Sequence, residues 1–114
     1  MSAQVFRGIG VSPGIAVGKA LVVEVRRPRI KRERVDPARL PLEISRLRQA
    51  LEASRRQLLE IQERIAKEVG PQYARIFDAH LLILEDRWLV EEASATIQAQ
   101  GVNEEYALQE VLEP

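Results

Sequence analysis

The hydrophobic positions of this chain change period once. From residue 5 to residue 25 they form β-branched runs, Val5-Phe6-Arg7-Gly8-Ile9 and Ile15-Ala16-Val17-Gly18-Lys19-Ala20-Leu21-Val22-Val23-Glu24-Val25, separated by Ser12-Pro13-Gly14. They read as two strands around a turn. Two strands cannot bury both of their faces, so this segment requires a sheet that the rest of the chain does not supply. From residue 36 the period becomes helical. Asp36-Pro37 is an N-cap followed by a first-turn proline, and Pro41 would break a helix begun there. A single turn over 37–40 therefore precedes a main helix from about Pro41, which Gly70-Pro71 ends. Between these limits Leu40, Ile44, Leu47, Leu51, Ser54, Leu58, Ile61 and Ile65 follow alternating steps of four and three. So narrow a seam packs against one neighbouring helix.

After Gly70-Pro71, the residues Tyr73, Ile76, Phe77, His80, Leu81 and Leu84 mark the apolar face of a second helix, folded back along the first by the short connection. Leu82 falls on the opposite side and Ile83 on the flank. Two large aliphatics outside the buried stripe require either a third helix or a docking partner. A third helical stretch from Arg87 to about Gln100 uses Trp88, Leu89, Ala93 and Ile97, and Gly101 ends it. Asn103 is the expected cap of a fourth, carrying Tyr106, Leu108, Val111 and Leu112, whose pattern is still running at Pro114. The expected fold is mainly α. A long helical hairpin opens into a partial four-helix bundle at 36–114, preceded by a two-stranded β segment and basic linker at 1–35. The unpartnered strands and the unfinished fourth helix both predict a piece of a larger protein.

A length of 114 residues leaves room for one core. Seventeen basic and seventeen acidic side chains cancel, which argues against a dedicated nucleic-acid binder. The charges are nonetheless separated: residues 1–40 carry nine basic and three acidic groups, residues 76–114 one and nine. The basic run from Arg26 to Arg34 has no interleaved aromatic side chains for stacking bases and reads as a solvated linker. No apolar run approaches the roughly 20 residues of a membrane span. The absence of cysteine excludes disulfides, thiolate metal sites and Cys nucleophiles, and with no secretory signal at the start it points to the cytoplasm.

Candidate chemistry is sparse. The glycines of Gly8-Ile9-Gly10-Val11-Ser12-Pro13-Gly14 lack the Gly-Lys-Ser/Thr ending and following helix of a phosphate loop, and read as turn residues. Glu85-Asp86 has no second acidic cluster or neighbouring histidine, so it reads as a cap at a helix junction rather than a metal site. His80, the sole histidine, falls between Phe77 and Leu84 and reads as a hydrogen-bonded core residue.

Two motifs carry a resemblance. The stretch from Gly8 to Ala20, and about 55 residues later Ile76-Phe77-Asp78-Ala79-His80-Leu81-Leu82-Ile83-Leu84-Glu85-Asp86, resemble in order and spacing the N-terminus of enzyme I of the bacterial phosphoenolpyruvate:sugar phosphotransferase system. The resemblance implies that the early strands belong to an α/β phosphohistidine domain, and that the helices form an insertion that binds the phosphocarrier protein HPr. It places the HPr-facing surface on Asp78, Leu82, Ile83, Glu85, Asp86 and Leu89. The family's carrier histidine, in a Gly-Gly-x-x-Ser-His motif, is not among these 114 residues, so His80 is not the carrier and no cofactor is expected here. Mg²⁺ and dimerisation through a C-terminal domain are expected of the parent enzyme. The motif begins within ten residues of Met1, which favours the sugar-transport branch over the nitrogen-regulatory one. Where relatives continue with acids after Glu-Asp, this chain has Arg87-Trp88, which weakens the attraction to a basic HPr. The competing reading is a structural helical-hairpin or coiled-coil dimerisation module, served equally by the seam at 40–65. The two differ over Leu82 and Ile83, which are exposed in the first and buried in a homodimer in the second.

Overall fold

The computed structural model describes residues 2–113. A 3-10 turn at Pro37–Arg39 leads into α1 (Leu40–Glu68), α2 (Pro71–Ala74), α3 (Ile76–Glu85), α4 (Arg87–Gln100) and α5 (Glu104–Leu112). The chain is mainly helical, as its periodicity indicates. Asp36 caps the turn through its carboxylate, which accepts from the Ala38 N–H at 3.0 Å. Proline occupies the start of the turn and of α1, where its missing N–H leaves no bond unmade.

Twenty-nine residues make α1 a rod of roughly 43 Å at 1.5 Å per residue. The return leg runs antiparallel to it. Gln62 of α1 donates to the Ala74 carbonyl and to Asp78, Arg55 donates to Glu85, and Arg46 meets Glu104, so partners descend α1 as the chain advances. Gly70 turns the chain at the far end with φ of +133°, and a side-chain carbon there would come within 2.8 Å of the Gln72 amide. At the near end Gly101 closes α4 in the left-handed conformation (φ 63°), its N–H donating to the Ile97 carbonyl at 2.9 Å. The α5 helix then runs back beside α4, with Gln100 donating to Glu110 across the pair.

The core lies at this near end. Leu47 and Leu51 of α1, Leu89, Ala93 and Ile97 of α4, Val102 of the turn and Ala107 of α5 form one buried cluster, flanked by half-buried Ile44, Leu84, Val90 and Tyr106. Ala93 and Ala107 are fully buried because small side chains let three helices approach closely. The far half of α1 meets only α2 and α3, and its seam residues Leu58, Ile61 and Ile65 stay half-buried.

Several expectations are corrected. Tyr73 and Ile76, set by their spacing on the apolar face of the second helix, and Leu112, in the pattern of the fourth, are exposed because among the described residues no helix packs over them. No strand forms at 5–25 among the described residues, and Val5, Ile9, Val17 and Val22 stand exposed, because nothing in the chain offers them a sheet. His80 is exposed rather than core, lying beside Phe77 with ring centroids 6.4 Å apart. Trp88 is exposed, one residue out of phase with the buried Leu89, Ala93 and Ile97. Asn103 sits at the N-cap position of α5, but its side chain makes no capping bond there.

Candidate functional site

Helix α3 presents the residues singled out from the sequence. Its inward line is buried Ala74 before it, then half-buried Phe77, buried Leu81 and half-buried Leu84, steps of three and four that face α1. Asp78, Leu82 and Glu85 share one flank at the same spacing. Both carboxylates on that flank are tied to α1: Asp78 Oδ1 accepts from Gln62 Nε2 at 2.6 Å, and Glu85 Oε1 accepts from Arg55 Nε at 2.8 Å. Leu82 lies between the two ties and is 69% exposed. The Glu85 carboxylate holds the Arg55 guanidinium above its ordinary range, by hydrogen bonding first and by charge second. The pair also removes part of the negative field that Glu85 would otherwise present.

On the other flank Ile83 is 53% exposed and lines a groove of about 360 Å³ with His80, Leu84 and, from α1, Ser54, Leu58 and Ile61. Tyr73 and Ile76 extend the exposed apolar surface toward the Gly70 turn. Neither α4 nor α5 covers it, because α4 continues down α1 instead of folding back over α3. Of the two explanations for Leu82 and Ile83, a covering helix is absent among the described residues.

Asp86 is the junction cap expected of it: its carboxylate accepts from the Trp88 N–H at 2.9 Å and starts α4. Leu89 does not belong to the surface. It is 3% exposed and packs in the core with Leu47, Leu51 and Ala93, since the direction change at Asp86 turns α4 so that Leu89 points inward. The structure therefore brings Asp78, Leu82, Ile83, Glu85 and Asp86 onto one exposed helix and its end, and removes Leu89.

A second polar cluster at the near end went unread in the sequence. Glu43 of α1 is buried, and its Oε2 accepts from the Glu104 N–H at 3.0 Å, so the cap of α5 comes from 61 residues away. Arg46 reaches Glu43 at 2.8 Å and Glu104 at 3.3 Å. Burial pushes the Glu104 carboxyl above its ordinary value against the pull of Arg46, and its Oε2 has no hydrogen-bond partner. Asn103 binds the chain before the helices instead: its Oδ1 accepts from the Glu33 N–H at 2.9 Å and its Nδ2 donates to the Lys31 carbonyl at 3.0 Å. The backbone adds Asn103 N–H to the Glu33 carbonyl at 3.1 Å and Val35 N–H to the Gly101 carbonyl at 2.8 Å. No local pattern announces a buried glutamate whose partner is so distant, so only the fold exposes these roles. Among the described residues no group of three or more His, Asp or Glu side chains could hold a metal ion.

The family model for the PEP-utilising enzyme, N-terminal, matches residues 7–114. The chain belongs to this PEP-utilising family. Phosphoenolpyruvate-protein phosphotransferases from Listeria monocytogenes and Bacillus subtilis are 41% and 38% identical over 109 and 107 residues, covering 95% and 94% of this chain. The chain spans 18% of the length of each. The solution structure of an Enzyme I protein (nEIt) matches at a TM-score of 0.70 and 31% identity, covering 77% of this chain and 36% of that one. The helical architecture is thus shared with that solved Enzyme I protein. No helix among the described residues is long and apolar enough to cross a membrane.

Proposed function

We propose that this chain is the HPr-docking portion of a cytoplasmic phosphoenolpyruvate-protein phosphotransferase, with residues 36–114 as the docking unit. In the parent enzyme phosphoenolpyruvate phosphorylates a histidine outside these 114 residues, with Mg²⁺ held elsewhere and dimerisation through a C-terminal domain. That histidine then passes the phosphoryl group to HPr seated on α3. The observation that carries the reading is the exposure of Leu82 and Ile83 on a helix that buries Leu81 and half-buries Leu84 against the bundle, with Tyr73 and Ile76 continuing the exposed apolar surface. Apolar residues at the centre of an interface supply most of its affinity, and surrounding charges mainly steer encounter. Among the described residues Asp78 and Asp86 have no cationic partner and supply that steering, whereas Glu85 is engaged by Arg55.

The test is calorimetric titration of the chain with its cognate HPr. Leu82→Ala should weaken binding by about 1–2 kcal/mol, the loss typical of a partly buried aliphatic, with the helical circular dichroism unchanged. Asp78→Asn should slow association at low salt more than Glu85→Gln does. Unchanged affinity in Leu82→Ala would remove α3 as the docking surface. A helical-hairpin dimerisation module would instead use the half-buried Leu58, Ile61 and Ile65, and sedimentation equilibrium of a chain lacking the first 25 residues separates the two readings.

A further inference from the structure

The histidine that the sequence sets in the core stands instead on the rim of the groove between α3 and α1. Its neighbours three and four residues away on the helix are Ile76, Phe77, Ile83 and Leu84. Across the groove α1 presents Ser54, Gln57, Leu58 and Ile61. None of these side chains ionises. Tyr73, on the same flank, adds a phenol, a group that carries no charge at neutral pH. The carboxylates of α3 are engaged on the Leu82 flank, Asp78 by Gln62 and Glu85 by Arg55. Among the described residues His80 is thus the one titratable side chain lining a neutral, mainly apolar groove, and it is the only histidine of the chain.

That placement matters to a partner covering the groove. Imidazole is the side chain whose ordinary protonation falls between pH 5 and 8. The neutral ring tolerates an apolar cover and, beside Phe77, adds to the surface such a cover would meet. The imidazolium carries a charge that must give up its water when the groove is covered, and no carboxylate lines the groove to take the place of that water. An apolar surface therefore binds the protonated form less tightly, and by linkage its docking drives the proton off.

We propose that His80 gates docking through its protonation: HPr seats an uncharged apolar patch on this groove while the imidazole is neutral, and acidification expels it. The inference rests on α3 being the docking surface and specifies what part of the partner meets this flank. The surface has two halves, an ionic flank around Leu82 that steers encounter and a neutral flank around Ile83 that accepts only an uncharged cover. Affinity is complete above the ordinary imidazole range and falls as pH drops through it.

Calorimetric titration of the whole chain with HPr at about pH 7.5 and about pH 5.5 tests it, with His80→Gln supplying a polar side chain that does not titrate. Wild type should bind HPr about five to ten times more weakly at the lower pH, over and above the change shown by His80→Gln, which reports every other titrating group in the complex. At the higher pH the two chains should bind within about threefold of each other. Titration near pH 6.5 in buffers of different ionisation enthalpy should show more proton release from the wild-type complex than from that of His80→Gln. Parallel pH profiles for the two chains, with Leu82→Ala still weakening HPr, overturn the gate and leave the α3 surface standing. Insensitivity of HPr binding to both Leu82→Ala and His80→Gln removes the α3 surface and the gate with it.

Discussion

Leu82 and Leu89 are the same side chain seven residues apart, and the structure gives them opposite work. One is exposed on α3 and the other is in the core, with the cap at Asp86 between them. Truncating them should therefore separate cleanly. Leu89→Ala removes a buried side chain from a close-packed contact and should cost about 2–4 kcal/mol of stability, read as a lower urea midpoint. If Leu89→Ala instead left the midpoint alone and weakened HPr, the α4 assignment would be wrong. Glu104 makes a second residue-scale case. Its raised carboxyl means that the folded chain holds that proton more tightly than the unfolded chain does. The associated stabilisation is present below the ordinary carboxylate range and is lost as pH rises through the raised value. Glu104→Gln mimics the protonated form, so it should be the more stable protein at pH 7, with the gap to wild type closing on acidification. If Glu104→Gln were instead the less stable protein at pH 7, attraction to Arg46 would outweigh burial.

At the scale of elements, much was legible because its causes are local. The turn at Pro37–Arg39, the start of α1 and the ends of α1 and α4 follow from proline and glycine chemistry that acts within a few residues. Gly101→Ala tests this directly. A methyl group there would meet only the Val35 carbonyl oxygen at 3.9 Å, so space is available and the cost is conformational. About 1 kcal/mol of destabilisation is expected, from the left-handed backbone that only glycine adopts freely. The illegible parts depend on distant partners. His80 and Trp88 fit an apolar helical stripe, but each stands one residue out of phase with a buried leucine, Leu81 and Leu89, which takes the inward position. Leu82 and Ile83 were readable as unburied, and Leu89 as part of an apolar stripe with Ala93 and Ile97; it was the resemblance, not the periodicity, that set Leu89 on the surface. Asn103 has the composition of a cap and performs a different task.

For the whole molecule, the charge and the apolar surface are distributed unevenly. A radius of gyration of 20.1 Å far exceeds the roughly 13 Å of a compact chain this long. The excess comes from a thin two-helix arm at one end and an irregular N-terminal arm at the other. That second arm exposes Val5, Phe6, Ile9, Val11, Ile15 and Val17, a β-prone series without a sheet. Concentration-dependent self-association should appear in sedimentation velocity and should disappear when residues 2–25 are removed. Persistence after removal would transfer the cause to the helices.

The tie between Asn103 and residues 31–33 spans about seventy positions of the sequence. Closing a loop of that length costs on the order of 4 kcal/mol of chain entropy if the intervening residues are free, and far less once α1 and α4 have paired. The order of events follows: the helices assemble first and the strap settles onto a corner already made. Reversal is equally ordered. The strap can peel away while the helical bundle stays intact, so the amide protons of Glu33 and Val35 should exchange with solvent well before those of Leu47, Leu51 and Ile97. Asn103→Ala should accelerate the first set and leave the second untouched, which makes one side chain the clasp between an arm that samples open positions and a bundle that does not.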